Sequence, residues 1–274
     1  MPSKELPMPA SAPMKAESPA RHRRPPHPGR AAPGRPAARG RATLAGFCAS
    51  LVGLGLARFA YAPLLPAIIG AGWFDASDAT YLGAANLVGY LAGALLAGPL
   101  TARLPARGVL RGMMLVTSAA LLACAWPVDF AWFFAWRFIS GIGGGALMVL
   151  AAPTVLPHIA ASRRGLAGGL IFTGVGLGIA ASGTLVPLLM RQGLTATWIG
   201  LAALSFVLTA VAWGGWPGAP HAPAPTHAAH IAAPFAKERL RALFVAYALN
   251  AAGLVPHMIF LADYVARGLG QGLQ

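Results

Sequence analysis

Apolar positions run along this chain in long blocks separated by short polar breaks. The first block, ATLAGFCASLVGLGLARFAYAPLLPAII from Ala42 to Ile69, holds one charge in 28 positions. At about 1.5 Å per residue, a helix of that length more than crosses a hydrocarbon core of roughly 30 Å. Similar blocks follow at 79–100, 109–126, 130–156, 166–190 and 197–216, with another at about 242–261. Residues 1–41 are rich in Pro, Ala and Arg and bury too little to fold, and 217–241 show no apolar period. The pattern predicts an all-α, polytopic membrane helix bundle. A disordered basic tail (1–41) precedes six helices (42–216); a linker (217–241) and a seventh helix with the start of further structure (242–274) follow.

Composition sharpens this. Hydrophobic residues make up 57% of the chain and charged residues 10%, against about 25% charged in soluble domains, so the polar coat of a soluble protein is missing. The net charge of +14 would suit nucleic acid on one folded face, but the cations sit in the tail and in alternate loops, which points to membrane lipids and away from nucleic acid. The tail reads either as an anionic-lipid contact or as an extension of no consequence. A cleaved export signal does not fit, because its apolar core would run only about 7–15 residues. Cys48 and Cys124 both fall in apolar blocks and read as buried free thiols. His221, His227 and His230 are scattered among Pro and Ala, which is no metal-binding geometry. No metal or cofactor is expected.

The charges also set an orientation. With the amino terminus inside, the tail, the second-to-third loop, the fourth-to-fifth loop and the linker hold 9, 3, 2 and 3 basic residues. Arg191 and Arg267 then lie outside, as do Asp75, Asp78 and Asp129. That positive-inside bias predicts a multi-pass protein of the cell's inner membrane with a cytoplasmic amino terminus.

Two cations lie within the blocks. Arg58 is about two thirds of the way outward along the first, and Arg137 about a third of the way inward along the fourth, so both fall at similar depth. An Arg at bilayer depth costs several kcal/mol unless it faces other helices, water or a counter-ion. The pair fits a cavity that attracts an anion, or a proton-coupled site lacking its acid; equally, Arg137 braces backbone carbonyls or snorkels. Asn86 and Tyr90, four apart, either line a cavity or bond across helices. In the seventh block Asn250 and His257 share a face, and Pro256 is expected to break the helix there, as at transporter binding sites. His257 is a candidate proton carrier. Gly89, Gly93, Gly141, Gly145, Gly174 and Gly178 are expected to let helices approach closely, and Pro187 to kink the fifth helix. No enzyme constellation is present: GxSxG is absent, and the runs ISGIGGGA and TGVGLGIA lie inside apolar helices, not after strands.

These residues resemble the major facilitator superfamily of secondary transporters. GPLTARLPAR, from Gly98 to Arg107, is similar to that superfamily's G-x-L-x-D-R-x-G-R-[RK] cytoplasmic gate loop. Gly98, Leu100, Arg103 and Arg107 agree; Ala102, Pro105 and Ala106 depart, so the acid of the gate latch has no counterpart. RFISG (137–141) resembles the R-x-x-x-G motif of the fourth helix. GLARFAYAPLLP (55–66), YLGAANLVGYLAGALLAG (81–98) and VPHMIFLADYVARGLGQG (255–272) together look like the uncharacterised YbfB/YjiJ-type branch. The resemblance implies alternating-access transport of an unidentified small solute, with proton coupling a candidate, by a twelve-helix protein of two halves. About seven helices are counted here, so the expectation is a truncated chain that is inactive alone or needs a missing carboxy-terminal half. The alternatives are a non-transporting scaffold, a lipid-modifying enzyme and a seven-span receptor.

Overall fold

The computed structural model describes residues 36–218 and 237–265. The first span has three segments: α1 (Pro36–Ser50), a wider π-helical stretch (Leu51–Phe59) and α2 (Tyr61–Gly70). There follow α3 (Ala76–Arg103), α4 (Ala106–Ala123), α5 (Phe130–Val155), α6 (Arg164–Met190), α7 (Leu194–Ala212) and α8 (Lys237–Asp263). Among the described residues, six helices are long and apolar enough to cross a bilayer. In α8 the described apolar run is Arg241–Leu254.

Helix ends follow local chemistry more closely than hydropathy. The first helix opens at Pro36, so its start takes in residues read above as tail; a proline in the first turn loses no hydrogen bond. The third span ends at Ala123, before the apolar Trp126: the chain turns over Cys124–Ala125, and Pro127 disfavours helix at the residue ahead of it. The sixth ends at Ala212 in a turn over Trp213–Gly215. The end of the predicted linker is helical, since α8 begins at Lys237; positions 219–236, with the three linker histidines, lie outside the described residues, as does the tail up to residue 35. Asp75 and Asp129 cap α3 and α5, accepting from the Asp78 and Trp132 amides at 2.7 and 2.6 Å. Gly72 and Gly193 adopt φ of 69° and 98°, a left-handed backbone that turns the chain between spans at no cost to a residue without Cβ.

Pro256 does not break the seventh helix: α8 runs unbroken from Lys237 to Asp263. One missing amide is a tolerable loss in a helix whose other backbone bonds stay internal. The irregular winding lies instead in the first span. Pro187 lies within the helical span of α6.

In lipid, apolar area alone does not drive helices together, so close approach must. It is closest between α3 and α5. A methyl added at Gly89 or Gly93 would collide with the Phe138 or Ile142 carbonyl oxygen; one at Gly141 or Gly145 would collide with that of Asn86 or Tyr90. The two helices thus interlock reciprocally through four glycines. Gly174 meets Phe47, and Gly178 meets Gly55, joining α6 to the first span in the same way. At one end of the bundle Trp73, Phe74, Phe130, Phe133 and Trp198 pack edge to face, with centroids 5.2–6.4 Å apart. Between α4 and α7 the Ser118 hydroxyl lies 2.6 Å from that of Ser205 and 3.3 Å from that of Thr209.

Candidate functional site

The site is built on the π-helical stretch, LVGLGLARF. Wide turns of this kind are uncommon and occur often at functional sites. Two carbonyls of the stretch are met by side chains from neighbouring helices. Arg137 Nη1 of α5 donates to the Ala57 carbonyl at 2.9 Å. Ser182 Oγ of α6 lies 2.8 Å from the Gly178 carbonyl and 3.3 Å from that of Gly55, so its one proton serves the first more closely. Small residues permit this: a Cβ on Gly53 would meet Gly144 Cα at 3.2 Å, and one on Gly55 would meet Gly178 Cα at 2.6 Å.

Arg137 is buried, with 2% of its surface exposed. Its guanidinium carbon sits 4.2 Å from the Tyr61 ring centroid, within cation–π range, while its Nε has no partner. Asn86 Nδ2 donates to the Arg137 carbonyl at 3.1 Å, and the Tyr61 hydroxyl donates to the Ala79 carbonyl at 2.6 Å, so both neighbours are fixed by backbone. Arg58, one residue beyond Ala57, is half-buried and makes no hydrogen bond to the described residues. Its guanidinium carbon lies 5.6 and 5.7 Å from the Phe59 and Tyr90 ring centroids. Arg58, Arg137, Asn86 and Tyr61 line a common cavity of about 30 Å³, and among the described residues no carboxylate lines it. That volume suits about one water, whose share of the liquid is roughly 30 Å³.

The structure therefore brings Arg58, Asn86 and Arg137 together, with Tyr90 against Arg58. It does not bring Asn250, which is exposed on α8; the side chain of His257 lies outside the described residues. Tyr61 was not singled out in the sequence, although its place three residues after Arg58 puts both on one side of a helix. The winding of Leu51–Phe59 had no signal in hydropathy.

At the other end of the bundle, Gly98, Arg103 and Arg107 flank the α3–α4 turn, where Leu104 and Pro105 are extended; both arginines are exposed, and nothing lies within 4 Å of a Cβ built on Gly98. Arg111, one turn on, is held. Its Nε donates to the Trp213 carbonyl at 2.8 Å, and its guanidinium lies 4.9 Å from that residue's ring centroid.

Residues 50–274 match the family model described as "Uncharacterised MFS-type transporter YbfB". The chain belongs to this family. It is accordingly a multi-pass membrane protein of a transporter family, not an enzyme family. Among curated proteins it is similar to the 4-hydroxybenzoate transporter PcaK of Acinetobacter baylyi, 36% identical over 99 residues, covering 36% of this chain and 22% of that protein. It is also similar to the niacin transporter NiaP of the same organism, 34% identical over 80 residues, covering 29% of this chain and 18% of that protein. The matched stretches thus take in less than a quarter of either relative. The POT family transporter PepTSo superposes with a TM-score of 0.59 at 17% identity, over 70% of this chain and 40% of that one, and shares the fold.

A second opening in this MFS-type bundle is far larger, about 750 Å³, between α1 and the start of α6. Its lining is apolar apart from Arg39, Thr43 and Arg163, and it shares no residue with the arginine cavity. Size favours this groove; convergence of polar side chains, which gives a solute site its specificity, favours the arginine cavity.

Proposed function

We propose that the chain serves secondary transport of a small solute by alternating access, with its six-helix bundle as one of two rocking halves and the Arg58–Arg137 cavity as part of the solute site. The observation carrying this reading is the pair of intramembrane arginines that line one cavity with no carboxylate among the described residues. A cation at bilayer depth costs about 3 kcal/mol on insertion scales, a cost that function commonly accounts for. The similar proteins support it too, being named for the transport of two small solutes, 4-hydroxybenzoate and niacin. In this reading the amino terminus is cytoplasmic and the α3–α4 turn, with Gly98, Arg103 and Arg107, belongs to the cytoplasmic gate. Asn250 and His257 belong to the second half, where His257 is a candidate for proton coupling.

The test is counterflow into proteoliposomes with labelled sugars, amino acids, carboxylates and cationic drugs. The chain is reconstituted alone and together with the carboxy-terminal half of a relative. Saturable, solute-specific counterflow that Ala62→Leu abolishes by filling the cavity is expected. A panel in which no solute is either moved or bound would remove the transport reading.

A further inference from the structure

We infer that the solute bound here is a small organic monoanion, with its single carboxylate held in a two-pronged contact by Arg58 and its flat apolar part against the rings of Phe59 and Tyr90. This rests on the reading of the arginine cavity as a solute site.

The two arginines of the cavity are not equivalent. Arg137 is committed: it is buried, one nitrogen is bonded to the Ala57 carbonyl, its guanidinium is stacked on Tyr61, and its own carbonyl is tied to Asn86. Turning it toward a solute would leave the Ala57 carbonyl without that donor. Arg58 is uncommitted. It makes no hydrogen bond to the described residues and rests loosely between two aromatic rings. A guanidinium offers five N–H donors in a planar fork that matches a carboxylate, so an Arg with none of them bonded to a described residue at bilayer depth is suited to that group above others. Its companion charge, fixed and with no acid among the described residues at the cavity, raises the potential there and favours an anion over a neutral solute or a cation.

The number of charges follows from the same asymmetry. One movable cation serves one carboxylate. A dianion would need a second movable donor set; Arg137 keeps unbonded N–H groups, its Nε among them, but its Nη1 is held at the Ala57 carbonyl, so it is not free to swing to a second carboxylate. The body of the solute is set by what Arg58 uncovers. With the guanidinium drawn toward a carboxylate, the faces of Phe59 and Tyr90 are open to a flat apolar group. The present cavity of about 30 Å³ is too small for any such solute. Entry therefore requires Arg58 to leave those rings, and Arg58 has no hydrogen bond to the described residues to break.

The test uses the purified chain in lipid nanodiscs and the quench of intrinsic tryptophan fluorescence, with benzoate, benzamide, phthalate and acetate as probes. Benzoate is expected to bind saturably, and the uncharged isostere benzamide roughly ten- to hundredfold more weakly, the worth of hydrogen bonds to a charged group. Phthalate and acetate should also be weaker. Arg58→Lys, which keeps the charge and loses the fork, should weaken benzoate about tenfold or more without changing benzamide. Arg58→Ala should abolish the preference for the anion. The preference among probes on the unmodified chain needs no variant to fold, and each variant's thermal midpoint reports on folding directly. Benzamide, or a neutral or cationic member of the transport panel, binding as tightly as benzoate and blocked by Ala62→Leu would overturn the carboxylate assignment and leave the solute site standing. Unchanged benzoate binding by a folded Arg58→Ala or Arg58→Lys would overturn the role of Arg58. Binding of no solute at all would overturn both readings.

Discussion

Replacing Gly93 by alanine tests the interlock of α3 and α5 most directly. The added methyl would run into the carbonyl oxygen of Ile142, with the carbon and Cα of the same residue at 2.7 and 2.8 Å. All three obstacles are backbone inside a helix, so no side-chain rotation relieves them and the two helices must separate. Overpacking of a filled interior costs about 1–3 kcal/mol, and a rigid obstacle places this site at the upper end. Alanine recovers roughly 1 kcal/mol through its better helix propensity. The net loss is about 2 kcal/mol. At about 2–4 °C per kcal/mol for a chain of this size, the thermal midpoint in detergent should fall by roughly 4–8 °C. Gly98→Ala in the same helix is the control: nothing lies within 4 Å of its Cβ, so only the propensity gain applies and the midpoint should hold or rise slightly. Gly145→Ala should resemble Gly93→Ala. The double variant should lose less than the sum, because helices already parted by one methyl receive the second more easily. Equal midpoints for Gly93→Ala and Gly98→Ala would refute the claim that close backbone approach holds this pair.

Other substitutions probe the rest of the bundle. Tyr61→Phe removes the donor to the Ala79 carbonyl and should cost about 1 kcal/mol while leaving the ring under Arg137, read from the same thermal midpoints. Arg111→Ala loses both the bond to the Trp213 carbonyl and the contact with its ring, about 1 kcal/mol, and exposes the end of α7 to faster amide exchange. With Cys48 and Cys124 buried, a cysteine introduced at Ser77 should react with an impermeant maleimide from outside intact cells, and one at Ser162 only after lysis. The reverse pattern would invert the proposed orientation.

The spans were legible because crossing a bilayer is set by the length of an apolar block, which needs no knowledge of neighbours. Their ends were less so. Trp126 and Trp216 are apolar yet lie beyond the helices, since the Cys124–Ala125 turn before Pro127 in one case and the Trp213–Gly215 turn in the other decide where winding stops. Pro256 misled in the opposite direction, because a membrane helix absorbs one lost amide. That Arg58 and Arg137 share a level could be anticipated from depth alone, as the helices bearing them run in opposite senses; that Asn86 joins them could not. What depth could not show is which arginine is tied down. That depends on the Ala57 carbonyl being presented toward α5, hence on the π-helical winding of Leu51–Phe59, and winding leaves no trace in hydropathy.

The sequence left Arg137 between two readings, a brace on backbone carbonyls or a wall of a cavity, and the geometry joins them. Its Nη1 holds the Ala57 carbonyl while its guanidinium borders the same cavity as Arg58. Ala57 and Arg58 are adjacent, so the brace also fixes where Arg58 starts. Drawing α5 away from the first span would break the Arg137–Ala57 bond and leave a buried cation and a carbonyl both unpartnered, a loss of about 1–3 kcal/mol or more for each such group. Both partners lie in the same six-helix half, so this contact braces that half from within, whereas swinging the Arg58 side chain alone breaks no hydrogen bond to the described residues. In the proposed reading, solute capture therefore falls to the Arg58 side chain, while Arg137 keeps α5 and the first span together as the half moves.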